Sequence, residues 1–370
     1  MLLLQPDDGA IPGRHYLRST PETVSWGYLP NAAAQPVLTV NPGDAVTVDT
    51  LSHEGVLEDQ GRNPTAYFGG HGVKPDGVLA DAVDLAASGV EHDFDVDGPH
   101  VVTGPIAVRG ARPGDILKVE VLDLALRTPY GVISNRHGLG ALPGEFPEGP
   151  ARTAAACVDR PDEYGSVMLF TTVEQRGGTL MGVLPYGDGR VVRFPLAPFM
   201  GVMGVAPATT EKVHSVPPGP HGGNIDVNLL NVGASLYLPV QVDEALFHVG
   251  DPHYAQGDGE VALTAMEASL RGTFRFTLLR GPAATKAVGL LDHPFVETDE
   301  AWVPVGLDRD LNEAMCKAVR AAIAFLHETQ GMPRAVALAY LSAAADFEIS
   351  QVVDSVKGVH CVIRKRDFGG

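Results

Sequence analysis

The sequence is organised around residues 216–267, which read VPPGPHGGNIDVNLLNVGASLYLPVQVDEALFHVGDPHYAQGDGEVALTAME. In the middle of this stretch, residues 234–242 alternate small or polar side chains with apolar ones, as a half-buried strand does. A polar cluster flanks this strand on either side, HGGNID at 221–226 and GDPHYAQGDGE at 250–260. Glycines beside carboxylate, imidazole and amide groups allow the backbone to come close to a ligand.

These two polar clusters have a structural interpretation and a functional one. Gly-Asn and Asp-Gly pairs are ordinary residues of hairpin turns, and either cluster alone is explained in that way. Side chains of His, Asp, Glu, Asn and Gln are costly to bury unless they are paired or bind a metal. Because both clusters fall within residues 221–260, we favour a functional site.

Composition limits the classes of protein that the chain fits. The 370 residues are 45% apolar and include 43 glycines and 29 prolines, which favours a globular protein of many short strands and turns. A net charge of −18 argues against nucleic acid or an anionic membrane surface as a partner. The start of the chain has too short an apolar run for a signal peptide, and no apolar span is long enough to cross a membrane. We therefore expect a soluble cytoplasmic protein.

Several segments together resemble the acetamidase/formamidase family. They are GGN-x-D at 222–226, LYLPV at 236–240, GD-x-H-x-x-Q-GDGE at 250–260, TGPI-x-V-x-GA-x-PGD at 103–115, PF-x-G-x-x-GVAP at 198–207 and D-x-x-ISQVVD at 346–354. The resemblance implies hydrolysis of the C–N bond of a small linear primary amide, such as formamide or acetamide, to a carboxylate and ammonia. The resemblance also implies that His53 lies near the site, because a polar segment of the family commonly faces the site at this point. It implies a similar place for His100, which precedes a strand as a His or Asn does in the family.

The residues of the two clusters suit a metal site. Asp226, His253 and Glu260 offer two carboxylates and an imidazole, the ligand set of an open catalytic site for zinc or a similar divalent cation. We count Asp226, His253 and His53 as predicted metal ligands and Glu260 as a predicted catalytic residue. Such an ion lowers the pKa of bound water to about 7, which makes the water a nucleophile towards an amide.

Other polar residues are assigned to catalysis and to substrate binding. Asp258 or Glu267 is predicted to carry a proton to the leaving ammonia. The residues predicted to hold the amide or its oxyanion are Asn224, Gln256, His100 and His221.

Three other amidase mechanisms lack their residues. There is no GxSxG elbow for a serine hydrolase, and no Lys-Ser-Ser arrangement. The three cysteines, Cys157, Cys316 and Cys361, lie outside both clusters, and their odd number and spacing predict neither a nucleophile nor a disulfide framework.

The predicted fold is mainly β, with sandwich- or barrel-like lobes of antiparallel strands and a small α component near the C-terminus. We expect a single family-like chain over 1–370, with a β lobe at 14–125 that carries an insertion at 55–98, a core β lobe at 150–300, and a helical segment plus strand at 301–370. The insertion is either a lid over the site or a surface loop. A homo-oligomer, dimer or higher, is also expected.

Individual elements are predicted as well. They are a hairpin at 37–51, strands at 167–172, 179–184 and 190–194, a strand at 259–271 that pairs with 273–279, helices at 307–330 and 333–345, and a final strand at 356–364. On a regular strand Glu260 and Glu267 would face opposite sides, so Glu260 is preferred as the site residue. The alternatives to a small-amide hydrolase are a non-catalytic binding protein of the same fold and a metal-dependent hydrolase of a larger or cyclic amide.

Overall fold

The structure is a computed structural model that describes residues 3–152 and 156–369. Its strands are β1 His15–Leu17, β2 Val24–Trp26, β3 Tyr28–Leu29, β4 Leu38–Val40, β5 Ala45–Asp49, β6 Val101–Val108, β7 Ile116–Leu126, β8 Tyr130–Asn135, β9 Val167–Arg176, β10 Thr179–Pro185, β11 Val191–Pro195, β12 Phe199–Gly204, β13 Val213–His214, β14 Gly222–Asn224, β15 Ser235–Pro239, β16 Phe247–Ala255, β17 Met266–Glu267, β18 Leu270–Leu279, β19 Phe295–Glu297, β20 Ala301–Asp308, β21 Asp346–Gln351 and β22 Lys357–Arg364. The helices are α1 Pro64–Gly70, α2 Ala80–Ala87, α3 Pro282–Val288, α4 Leu311–Gln330 and α5 Arg334–Ala344, with short 3-10 turns at Glu58–Gln60, Pro75–Gly77, Pro161–Tyr164 and Lys365–Phe368. The predicted mainly-β class is confirmed.

Two large sheets contain most of the strands. The first has nine strands in the order β1-β5-β18-β7-β15-β19-β20-β22-β21. The second has eleven, with β11-β10-β9-β8-β17-β16-β12-β14 in sequence across the sheet and β6 joining β16 to β2 and β4. The pairs β1–β5 and β4–β6 are parallel, and the long ladders such as β7–β18 and β12–β16 are antiparallel.

The main core lies between these sheets. Val119 and Phe274 come from the first sheet, Phe199 and Phe247 from the second, and all four are at most 1% exposed and belong to one apolar cluster. The rings of Phe247 and Phe274 lie 6.1 Å apart between centroids. Full burial of one such side chain stabilises a fold by about 1.5–3 kcal/mol. The two sheets therefore pack face to face.

The long helix α4 was predicted with the correct end but not the correct start. Asp310 is its N-cap and accepts hydrogen bonds from the backbone N–H groups of Asn312 and Glu313, at 2.9 and 3.1 Å. Strand β20 runs as far as Asp308 and Asp310 is the N-cap, so the helix begins only at Leu311. Gly331 ends the helix with a φ of 66°.

Other local predictions agree with the structure. The strands expected at 167–172, 179–184 and 190–194 are β9, β10 and β11. The second helix is α5, and the final strand is β22.

The predicted hairpin at 37–51 is wrong. The Asn-Pro-Gly-Asp turn is present, with Gly43 at a φ of 92°. However, β4 pairs with β6 in the second sheet, whereas β5 pairs with β18 in the first. The chain therefore passes from one sheet to the other at this turn, and turn residues alone do not decide which strands pair.

The predicted strand at 259–271 is also wrong. The range contains Met266–Glu267, which is β17 in the second sheet, and the first two residues of β18, which begins at Leu270 in the first sheet. Glu260 and Leu263 have φ values of 46° and 126°, outside the range of a strand. Residues 273–279 consequently pair with β5 and β7.

The segment 55–98 is part of the packed body of the molecule. Every residue from 51 to 60 is buried. Leu57, Leu79 and Leu85 are at most 3% exposed and form an apolar cluster with Trp26. The part of the segment that contains residues 55–60 and these leucines is therefore packed against the rest of the molecule.

Candidate active site

The centre of the site is the strand β16, which lies inside the second sheet between β12, β6 and β17. Asp251 and His253 are two residues apart on this strand, and their side chains are in contact. His253 Nε2 is 3.0 Å from Asp251 Oδ2 and 3.0 Å from Glu267 Oε1. Glu267 reaches this point because it is the direct partner of His253 on β17.

Asp226 and Glu260 approach His253 from two turns. Asp226 follows β14 and its Oδ1 lies 3.9 Å from His253 Nδ1. Asp226, His253 and Glu260 each offer a donor atom, and these three atoms lie within 4.8 Å of one another. All three side chains are at most 7% exposed.

A glycine on β12 makes room for these side chains. A Cβ at Gly201 would lie 2.5 Å from both Asp226 Oδ1 and Asp251 Oδ2, and 2.7 Å from His253 Cε1. Any side chain at this position would occupy the space in which the carboxylates meet.

His53 and His100 lie on the other side of Asp251. Asp251 Oδ1 is 3.6 Å from His53 Nδ1 and 3.7 Å from His100 Nε2. His100 is fixed by a 2.9 Å hydrogen bond between its Nδ1 and Ser215 Oγ. His53, Asp251 and Glu267 form a second group whose donor atoms lie within 4.8 Å of one another.

A buried network of polar side chains lies beside His53. Glu54 Oε1 lies 3.3 Å from His53 Nε2, accepts a 2.6 Å hydrogen bond from Ser134 Oγ, and is 3.3 Å from Arg136 Nη1. Arg136 also binds Asp59, with Nε 2.7 Å from Oδ2. Burial opposes ionisation of Glu54, but Arg136 and His53 together lower the pKa of this carboxyl group.

Burial of the central carboxyl groups carries a large desolvation cost. Burial, together with neighbouring carboxylates, raises the pKa of Asp226, Glu260 and Asp354 well above the ordinary value. Buried polar atoms in native proteins normally have hydrogen-bond partners. Here the buried atoms with no hydrogen-bond partner include both ring nitrogens of His53, both carboxylate oxygens of Asp226, Asp251 Oδ1, His253 Nε2, Glu267 Oε2 and Asp354 Oδ2.

This donor set fits a divalent cation. Carboxylate oxygens and imidazole nitrogens are ligands of zinc and related metals. A bound cation would offset the charge of the buried carboxylates and would use the donor atoms that no hydrogen bond satisfies.

These groups lie in a cleft of about 290 Å³. Its polar part includes Asn224, Asp251 and Glu260, whereas apolar side chains such as Phe94 and Val96 line the wall. Phe94 and Val96 come from the segment 55–98, which therefore contributes directly to the cleft.

The structure brings together most of the residues that the sequence nominated. Glu260, Glu267, Asn224, His100 and His53 line the cleft. Asp226 and His253 are buried beside it, in the group that also contains Glu260. Because 260–265 is a turn and not a strand, the argument that Glu260 and Glu267 must face opposite sides is wrong.

Three nominated residues lie elsewhere. Asp258 is exposed and accepts a 3.0 Å hydrogen bond from Asn228 Nδ2. His221 is buried against Gly219 and Gly223 and does not line the cleft. Gln256 positions other groups, because its Oε1 is 3.1 Å from His253 Nδ1 and its Nε2 donates to the carbonyl oxygens of Asp226 and Ser350.

Three acidic residues were missed. Asp251 was within the quoted segment, two residues before the nominated His253. Glu54 directly follows His53. Asp354 ends the segment 346–354, and it reaches the cleft because Gly259 pairs with Gln351 in a parallel bridge.

Comparison with known proteins identifies the family of the chain. The model of the acetamidase/formamidase family matches residues 82–214 and 208–364. The chain belongs to this family. This family member is 31% identical over 201 residues to the formamidase of Methylophilus methylotrophus, which covers 46% of this chain and 49% of that protein. It is 27% identical over 208 residues to the acetamidase of Mycolicibacterium smegmatis, which covers 46% of this chain and 50% of that protein.

The fold of this family member also matches solved structures. The acetamidase from Bacillus halodurans has a TM-score of 0.70 at 24% identity and covers 95% of this chain and 98% of its own. A gamma lactamase from Delftia acidovorans has a TM-score of 0.51 at 19% identity, over 95% of this chain and 93% of its own. At these identities the likeness shows the fold alone. The chain spans about half the length of the curated relatives it matches. Among the residues that the structure describes, no helix has the length and apolarity needed to cross a membrane.

Proposed function

We propose that this protein hydrolyses the C–N bond of a small linear primary amide to a carboxylate and ammonia, with the help of a divalent metal ion. The observation that carries the proposal is the buried group of Asp226, His253 and Glu260, of which Glu260 lines the cleft. The similarity to proteins named formamidase and acetamidase supports the substrate class.

Asp226, His253 and Glu260 would hold the ion, and two carboxylates with one imidazole can bind zinc or a similar divalent cation. When bound, such an ion acidifies water and polarises a carbonyl oxygen. Gln256 orients His253, because its Oε1 accepts a hydrogen bond from Nδ1–H, with the two atoms 3.1 Å apart. The other ring nitrogen, Nε2, is then the one available to coordinate the metal. A ligand imidazole is commonly fixed through its other nitrogen in this way.

Asn224 is placed to bind the substrate. It is 2% exposed, lines the cleft, and its Oδ1 has no hydrogen-bond partner. A carboxamide both donates and accepts hydrogen bonds, so it complements the amide of the substrate. His100, fixed by Ser215, lines the same cleft.

The leaving nitrogen needs a proton. Water adds its oxygen to the acyl carbon, the C–N bond breaks, and a proton passes to the nitrogen to give ammonia. Asp354 lines the cleft and has a buried Oδ2 without a hydrogen-bond partner, so its carboxyl group is placed to carry this proton. Glu267, which contacts His253 at 3.0 Å, is the alternative carrier.

The test is ammonia release from formamide, acetamide and longer amides, measured before and after removal of metal with a chelator. We expect activity to be lost with the metal and restored by zinc. His253→Ala should lose bound metal and at least about a hundredfold in rate. The matched control is His327→Ala, at an exposed position on α4. Full ammonia release by the metal-free protein would refute the metal-dependent mechanism, and no release from any amide would favour a binding protein.

A larger amide is a second candidate substrate. The cleft, at about 290 Å³, is close to the lower limit of about 300 Å³ for pockets that bind drug-sized ligands. Phe94 and Val96 add apolar surface for an acyl group. The same panel of amides distinguishes the two candidate substrates, because a site built for a larger amide would hydrolyse it faster than acetamide.

A further inference from the structure

The cleft is larger than a molecule of formamide or acetamide requires. Its volume is about 290 Å³, whereas an apolar cavity of about 150 Å³ is large enough to bind benzene. Formamide and acetamide carry only a hydrogen atom or a methyl group beside the carboxamide. The cleft therefore has space for a carboxamide and, in addition, for an acyl group that contains a six-membered ring.

Apolar side chains from several separate parts of the chain line this space. They are Leu57, Phe94, Val96, Leu139, Val216 and Val353. Two of them, Val96 and Leu139, are 60% and 51% exposed. Apolar surface that is gathered in a groove is a mark of ligand binding, because an apolar ligand removes that surface from water. The lining therefore favours an apolar acyl group.

The segment 92–98, which lines part of the cleft, is fixed near both of its ends. At the start, the ring of His92 stacks on that of Trp26, with 4.6 Å between the ring centroids. At the end, Asp97 Oδ1 accepts a hydrogen bond of 2.6 Å from the hydroxyl group of Tyr28. A wall that is ordered before the substrate arrives loses little conformational entropy on binding.

The ring of Phe94, within this segment, is held by two further contacts. It meets the ring of Tyr164 edge to face, with 4.8 Å between centroids and 68° between planes. The guanidinium carbon of Arg152 is 5.9 Å from the centroid of Phe94 and 5.4 Å from that of Tyr164, and Arg152 also forms an ion pair with Asp95. Phe94 therefore presents a fixed aromatic surface in the lining of the cleft.

The charges of the cleft limit the acyl group to a neutral one. The acidic side chains of Glu260 and Asp354 line the cleft. Arg136 lines it too, but its guanidinium already binds the buried carboxylates of Glu54 and Asp59. A carboxylate on the acyl group would therefore be buried beside acidic groups without a free guanidinium, which is costly.

We propose that the substrate is a neutral primary amide whose acyl group carries an apolar ring, such as phenylacetamide, and that Phe94 sets this preference by contact with the ring. The inference rests on the proposed function and assigns the acyl group of the same reaction. The products are the corresponding carboxylate and ammonia. Two aromatic rings in contact attract each other beyond the burial of their apolar surface, so a fixed phenylalanine suits a substrate ring.

The first experiment compares substrates on the metal-loaded, full-length protein. It measures kcat/KM for ammonia release from acetamide, phenylacetamide, cyclohexylacetamide and succinamate. We expect phenylacetamide to exceed acetamide by at least about tenfold, because each methylene group in an apolar pocket is worth about 10–200-fold. Cyclohexylacetamide should also exceed acetamide, since its ring is apolar. Succinamate should be the poorest of the four.

The second experiment tests the role of Phe94. In Phe94→Ala the ratio of kcat/KM for phenylacetamide to that for acetamide should fall at least about tenfold, and Phe94→Leu should lose less. This ratio does not depend on how much of a variant is folded. The control is Tyr186→Ala, which removes a ring that is 57% exposed and lies outside the cleft lining. It should keep the ratio of the wild type.

The possible outcomes separate this inference from the proposed function. If the wild type hydrolyses acetamide as well as phenylacetamide or better, the inference is overturned and the proposed function stands. A ratio in Phe94→Ala that equals or exceeds that of the wild type shows that Phe94 does not bind the acyl group. Succinamate hydrolysed as well as phenylacetamide refutes the preference for a neutral acyl group. Absence of ammonia release from every amide overturns the proposed function and the inference together. If Phe94→Ala fails to fold, Phe94→Leu and the wild-type comparison decide.

Discussion

The replacement Gly201→Ala tests the site with a single methyl group. Gly201 lies on β12, and its φ is not in the left-handed region, so alanine is compatible with the backbone. Its Cβ would lie 2.5 Å from Asp226 Oδ1 and from Asp251 Oδ2. Ordinary contact begins at 3.4 Å, so each oxygen must move by the difference, 3.4 − 2.5 = 0.9 Å.

This displacement sets the expected magnitudes. A misplacement of about 1 Å in a catalytic constellation costs on the order of a hundredfold in rate. Forcing an extra methyl group into a packed interior costs about 1–3 kcal/mol of stability. We therefore expect Gly201→Ala to lose most bound metal and at least about a hundredfold in ammonia release, with a free energy of unfolding lower by about 1–3 kcal/mol.

The assays are metal content, ammonia release and urea denaturation followed by circular dichroism. Gly89→Ala is the control, because a Cβ there meets no atom within 4 Å. It should match the wild type in all three measurements. If Gly201→Ala keeps its metal and releases ammonia at close to the wild-type rate, Asp226 is not a ligand in its observed position, and the assignment of the site is wrong.

Two further predictions concern stability. Burial lowers the pKa of His248 to about 3, with His221 contributing, from an ordinary value of 6.5. The unfolded chain therefore takes up a proton below pH 6.5 that the folded protein does not. This part of the stability is complete above pH 6.5 and falls by about 2 kcal/mol between pH 6.5 and 5. His248→Gln should be less acid-sensitive by this amount in urea denaturation at the two pH values, and an unchanged pH dependence would contradict the burial argument. Asp310→Ala should lower the free energy of unfolding by about 0.5–2 kcal/mol through loss of the N-cap of α4. Asp310→Asn keeps the cap oxygen and should lose much less, and equal losses would show that the cap is not responsible.

The fold could be predicted from sequence where the deciding interactions are local. The apolar face of helix α4 and its capping residues lie within one continuous stretch of sequence. Strands β9 to β11 are short segments of alternating side chains that turn residues separate. The prediction of a hairpin at 37–51 failed because the turn is specified locally, whereas the strands that pair with β4 and β5 lie far away in the sequence. Leu38 pairs with Ile106 and Ala45 with Arg275, and nothing near the turn specifies either partner.

Part of the site could be predicted because residue type alone was sufficient to nominate it. Asp226, His253 and Glu260 were nominated because carboxylates and imidazoles bind metals, and the structure brings them together. Asp258 has the same chemistry, but it faces solvent because the chain turns immediately after it. Asp354 could not be found in this way, since only the bridge between Gly259 and Gln351 brings its segment to the cleft.

The failure to predict how Glu260 and Glu267 are oriented has a physical cause that also explains the site. Asp226, Asp251 and Glu260 have φ values of 47°, 52° and 46°. Non-glycine residues in this region are uncommon, and each costs about 1–3 kcal/mol unless the surrounding structure compensates. Strand periodicity assumes ordinary backbone, so it fails at such residues. The same backbone turns these three carboxylates inwards, towards His253, against both local preference and the cost of burying charge. The donor atoms indicate that a bound cation compensates for these costs. The cation would remove the repulsion between the carboxylates and would thereby stabilise both the folded backbone and the site.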